Sequence, residues 1–225
     1  MSGTAEDAWL EGETLKAEGD LQGARRQYQE ALDVQQRINK IDPTAEAQVP
    51  LADLDLEEAH PEHTEPLLRR AITEFEKEKR DPDATGAYTL LSRALMMQGK
   101  LEESTRAVQR AVELDHTSPD PALKLPIAIQ NARIETAGAT PNTALAAARH
   151  ELRSAMATAR KLGYYSLECE ARLALGELEL KANPPLGRSL LKDLADDARG
   201  RGLQLISRKA ANLAASPNAI AAAIR

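Results

Sequence analysis

The chain has 225 residues, 3% of them aromatic with a single Phe, and a net charge of −6; this excludes a large aromatic core, a base-stacking platform and the basic face of a general nucleic-acid binder. Ala, Leu, Glu, Arg and Gln dominate and runs rich in Val, Ile and Thr are absent, so the composition points to an all-α fold. One cysteine, Cys169, excludes an internal disulfide and fits a reducing, cytoplasmic setting; MSGTAEDAWLEG at the start lacks the order of a secretory signal, and no stretch reaches the ~18 apolar residues of a membrane span.

Taken in chain order, the helices come in pairs. The first pair covers 4–17 and 20–38, the second 44–58 and 64–79, the third 83–98 and 101–115. The fourth covers 120–137 and 142–162, and the fifth 164–182 and 185–200. A lone helix at 203–214 then reads as a cap over the last pair, with Arg208 and Lys209 on its outer side, and Ser216 and Pro217 start a further short helix. DPTAE, DPDAT and HTSPDP fall between pairs, where Pro blocks helix continuation, and TAGATPN breaks the fourth pair with a longer loop. No linker divides the chain. The expectation is one domain, 1–225, made of hairpins 4–38, 44–79, 83–115, 120–162 and 164–200 with a cap at 203–214, extended as an elongated array whose first helix has no cap.

The pairs repeat one another. Gly12, Leu15, Gly19, Ala24, Tyr28 and Ala31 are spaced by 3, 4, 5, 4 and 3, and the same steps recur 80 residues on at Ser92, Leu95, Gly99, Ser104, Val108 and Ala111. Halfway between, they give Ala52, Asp55, Ala59, Thr64, Leu68 and Ala71, a poorer copy because Asp55 replaces an apolar residue. Leu175, Leu178, Ala182, Gly187, Leu191 and Leu194 make a later copy. Independently, ARKLGYYSLECEAR from Ala159 aligns with ARGRGLQLISRKA from Ala198 at a displacement of 39. Residues three and four apart share a helix face, a Gly ends the first helix, and the step of five crosses the turn. Small residues let the two helices approach, and the large residue between them fills the space. Such a hairpin cannot bury its face alone and stacks on the next.

The run Gly12-x2-Leu15-x3-Gly19-x4-Ala24-x3-Tyr28-x2-Ala31 resembles the tetratricopeptide repeat. The chain departs from that pattern where Ala8 and Glu11 stand in place of Trp and Leu, with Trp9 one residue out, and in its period of about 40 rather than 34, which adds roughly 9 Å of helix per repeat. Long-repeat variants occur in bacterial signalling ATPases and transcription regulators. LGYYSLECEARLALGELEL with RGLQLISRKA is similar to the C-terminal repeat region of bacterial serine/threonine kinases. The resemblance implies a right-handed superhelical solenoid of about five hairpins that binds a peptide or protein segment in its concave groove, as a scaffold and as part of a larger signalling protein.

No residue set announces a reaction. His60 and His63 beside Glu57 and Glu62 read as a polar turn rather than a metal site, and Cys169 as a packed thiol. Gly99-Lys100 lacks the remainder of a phosphate loop, with Ala94 and Leu101 in the required places; no G-x-G-x-x-G occurs, and the His-Arg-Asp and Asp-Phe-Gly signatures of kinase catalysis are missing. We therefore expect a non-enzymatic protein with no cofactor or metal, no nucleic-acid partner and no membrane insertion. An enzyme with a site built across the groove, or a module self-associating through the N-terminal hairpin, are the alternatives.

In stacked hairpins the first helices line the concave side. The positions one after and three before the Gly12 equivalent face the groove, which selects Trp9 and Glu13, Val49 and Asp53, Thr89 and Arg93, and in the later pairs Arg133 and Arg172. Asn, which chaperone-binding relatives use with Lys to clamp a carboxylate, stands at none of these places. Residues 1–80 hold 19 acidic and 10 basic side chains and the remainder 16 and 19, so the groove is expected to pass from acidic to basic and to select a segment with charges of both signs.

Overall fold

The computed structural model describes residues 4–39, 45–115, 120–137 and 142–216, and within them the chain forms eleven α-helices. They are α1 (Ala5–Glu18), α2 (Leu21–Asn39), α3 (Ala45–Glu57), α4 (Pro61–Glu78), α5 (Asp81–Met97) and α6 (Leu101–Asp115), then α7 (Pro121–Glu135), α8 (Asn142–Leu162), α9 (Tyr165–Ala182), α10 (Pro184–Gly200) and α11 (Gln204–Ala215). The expected pairs are all present. The helix expected from Ser216 and Pro217 lies outside the described residues.

Local chemistry sets the helix ends. Thr4 caps α1 through a reciprocal pair: the Asp7 amide donates to Thr4 Oγ1 at 3.1 Å and the Thr4 amide donates to Asp7 Oδ2 at 2.9 Å. Asp120 caps α7 by accepting from the Ala122 amide at 2.9 Å. α4 begins three residues sooner than the spacing suggested, because Pro61 takes its first position, where a missing N–H costs nothing. His63 is thus in α4 and only His60 remains in the turn.

The repeat is visible in the backbone itself. Gly19, Ala59 and Gly99, spaced by 40 residues, all adopt the left-handed conformation with φ of 79°, 61° and 75°, and Gly163 and Gly202, spaced by 39, do so at 77° and 82°. The second hairpin makes this turn with Ala59 and accepts the strain that a Cβ brings there.

Packing follows the same steps. Tyr28, Leu68, Val108 and Leu191, the large residues of the four copies, are all buried, as are Ala24, Thr64, Ser104 and Gly187, the small ones. A Cβ on Gly187 would stand 2.4 Å from the Leu180 amide nitrogen, so α10 crosses α9 at backbone contact. Where the small residue carries a hydroxyl, it bonds a carbonyl twelve residues back: Ser104 Oγ donates to Ser92 O at 2.7 Å and Ser207 Oγ to Ala195 O at 2.8 Å. The misfit Asp55 is met by Arg25 of α2 at 2.7 Å, which explains how the second copy accommodates a carboxylate.

Each even-numbered helix packs on its chain neighbours, whereas the odd-numbered helices also meet one another, α3 on α5, α5 on α7, α7 on α9 and α9 on α11. The odd helices thus make an inner layer. Its α9 is buried on both sides, with Ala174 and Leu178 toward α7 and α8 and Cys169 and Leu173 toward α10 and α11. No described helix is long and apolar enough to cross a membrane.

The expected elongated array is not what forms. α11 also packs on α1. Arg208 Nη2 donates to the Gly19 carbonyl at 2.6 Å, across 189 residues of sequence, and Lys209 pairs with Glu57 of α3. Arg208 and Lys209, expected on an outer side, therefore turn back to the first two hairpins, and the helix expected to stand uncapped meets the last one. The row of inner helices closes on itself.

Candidate functional site

The inner layer lines a half-open cavity of about 680 Å³. The C-terminal half of α1 contributes Glu13 and Lys16, α3 contributes Asp53 and Glu57, and α5 contributes Thr89, Leu90 and Arg93. Further lining comes from Ile129 and Arg133 of α7, Ser166 and Leu167 of α9, and Leu205 and Ile206 of α11. Thr89, Leu90 and Pro126 also border a second cavity of about 450 Å³, walled by Trp9, Val49, Pro50, Phe75 and Leu123. α1, α3, α5, α7 and α9 alone would leave a groove; α11, packed on α1, adds a further wall to it.

The structure brings together seven of the eight residues selected from the sequence. Glu13, Asp53, Thr89, Arg93 and Arg133 line the larger cavity, and Trp9, Val49 and again Thr89 the smaller. Trp9 is 46% exposed, so it is not packed away beneath the following hairpin. Arg172 lies apart. It faces α10, where Asp197 pairs with it, and it lines neither cavity.

The electrostatics differ from the expected acidic-to-basic passage. Positions 13, 53, 93 and 133 are one repeat apart, and their charges are spent on each other and on their neighbours. Asp53 accepts from Lys16 Nζ at 2.7 Å and from Arg93 Nη1 at 3.1 Å. Arg93 reaches Glu57 with its other nitrogen at 2.7 Å, and Glu57 in turn holds Lys209. Arg133 Nε donates to Glu177 at 3.0 Å, and its Nη2 lies 3.8 Å from Glu170. Tyr28 donates its hydroxyl to Glu13. One network thus ties α1, α3, α5 and α11 together, and a second joins α7 to α9.

Burial tunes these groups. Burial alone would raise the Asp53 carboxyl, but Lys16 and Arg93 outweigh it and hold Asp53 at about 2. Glu57, 4% exposed at its side chain, is likewise pushed up by burial and pulled further down by Arg93 and Lys209. Lys16 shows the converse: burial favours the neutral amine, and Asp53 and Glu13 overrule it, so its ammonium persists above the usual lysine range.

Lys16, Glu57, Glu170 and the α11 residues were not selected from the sequence. Lys16 and Glu57 follow Glu13 and Asp53 by three and four residues, one turn along the same face, so the signal was there. Nothing local marks α11, because its place in the wall depends on closure. Among the described residues no three His, Cys, Asp or Glu side chains gather to hold a metal ion; His60 and His63 place their rings 5.9 Å apart. Compared with protein-family models and with curated proteins, the chain matches none of either.

Proposed function

We propose that this chain is a non-enzymatic interaction scaffold of the long tetratricopeptide-repeat kind, a right-handed superhelix of five hairpins and a closing helix that holds a peptide or protein segment in its concave cavity. It serves as the regulatory or sensing part of a larger signalling protein, as the likeness of its last repeats to bacterial serine/threonine kinase tails implies. The observation that carries this reading is the chamber lined by every odd-numbered helix, with apolar side chains from five of them and a half-exposed Trp9 in the neighbouring cavity. Concave, largely apolar sites with a few placed polar groups are the usual form of a ligand site.

The test is selection from a displayed peptide library on the full chain, followed by binding to a Thr14→Trp/Ser166→Trp variant. Both positions line the larger cavity and are exposed, so the added rings fill the chamber without entering the core. Selected peptides are expected to lose at least about tenfold in affinity, roughly 1.4 kcal/mol. Equal binding to both proteins would contradict the reading.

A further inference from the structure

We propose that the part of the partner that enters the chamber is an uncharged, apolar stretch of polypeptide interior to its chain, rather than a charged segment or a free terminus. The inference rests on the binding reading above and names the chemistry of the occupant.

Charge accounting carries it. Among the described residues four cations line the larger cavity, Lys16, Arg93, Arg133 and Arg201, and each already has a carboxylate within 4.0 Å: Asp53, Glu57, Glu177 and Asp197. A ligand carboxylate meets cations whose charge is already balanced, and at Lys16 and Arg93 it would compete with Asp53 and Glu57, each held by two cations; Arg201, exposed and touched by one carboxylate at 3.4 Å, keeps N–H donors to spare. A ligand ammonium meets the mirror-image obstacle, because those same carboxylates are engaged. Breaking a buried pair leaves the other member uncompensated, so exchange gains little. Among the lining carboxylates only Glu18, exposed at the end of α1, has no cation near it among the described residues.

What remains unspent is apolar surface. Leu90, Ile129, Leu167, Leu203, Leu205 and Ile206 stand in the larger chamber. In the smaller one the single charged side chain among the described residues is Asp83, which Arg80 holds at 3.0 Å. Thr89 and Leu90 border both cavities, so an apolar stretch lying along them has apolar wall on either side, with Trp9 in the smaller one. Each terminus of a peptide carries a charge, which is why the stretch is interior.

The experiment uses two dyes on the full chain, uncharged Nile red and anionic anilinonaphthalene sulfonate, with fluorescence titration of both. The expected result is saturable, blue-shifted Nile red binding at one site, lost in the Thr14→Trp/Ser166→Trp variant, with the anionic dye weaker by about tenfold or more, since it alone must desolvate a charge. Saturable anionic binding as tight as that of Nile red, Nile red binding that the variant leaves unchanged, or no saturable Nile red binding would each overturn the inference. Peptides from the library separate the two levels. If they need the chamber but carry a charge in the residues whose substitution abolishes binding, the occupant chemistry is wrong and the binding reading stands. If none needs the chamber, both fail.

Discussion

Asp53 shows how one residue does two jobs. It belongs to the column of repeat-equivalent positions that faces the cavity, and it ties α1 to α5 through Lys16 and Arg93. Its depressed carboxyl makes a pH prediction. A group whose folded pKa lies below its unfolded value contributes stability that is fully present above the unfolded value, ~3.9 for Asp, and that is lost as pH falls through the folded one. For Asp53 the loss occurs between about 4 and about 2. Thermal unfolding of the native chain should therefore drop steeply across that interval, and Asp53→Asn should be less stable at pH 7 yet show a shallower acid slope. Parallel slopes for the two proteins would show that the network does not support the fold. The column was read from the sequence at Glu13, Asp53, Arg93 and Arg133, but as a row of charges offered to a partner. Opposite charges one repeat apart, on stacked helices, are within reach of each other, and that consideration identifies Asp53–Arg93 as a pair before any ligand.

At the scale of the helix and its hairpin, small residues decide how closely elements approach. The steps of 3, 4, 5, 4 and 3 were legible because they express two invariants, the helical face and the left-handed turn, and the turn residues do share that conformation at 40-residue intervals. The closing role of α11 was not legible. Its apolar face reads as a cap on α10, which it is, but its polar contacts with Gly19 and Glu57 depend on the angle accumulated over ten preceding helices. Two glycines test the packing. Gly86 in α5 has nothing within 4 Å of a Cβ, so Gly86→Ala should stabilise by ~0.5–1 kcal/mol through helix propensity alone. Gly187 in α10 faces the α9 backbone, where a Cβ cannot be accommodated without shifting a helix, so Gly187→Ala should destabilise by ~1–3 kcal/mol. Denaturant unfolding of both variants measures the difference. The same sign for both would remove the claim that α9 and α10 touch at backbone distance.

For the whole molecule, the account depends on closure. An open row of hairpins presents a groove walled on two sides; this one returns α11 to α1 and α3, covers Glu57 and adds a wall to a half-open cavity. The ends meet through polar contacts, whereas α11 is fixed to α9 and α10 by an apolar cluster containing Ile206, Ala210 and Ala214. The most direct measurement is the distance between the two ends in solution, by pulsed electron resonance on spin labels at Glu18→Cys and Asn212→Cys. Both positions are exposed, and the buried Cys169 stays unlabelled. Closure predicts a single, narrow distribution at short distance. A broad distribution at long distance, as an open array would give, would contradict it.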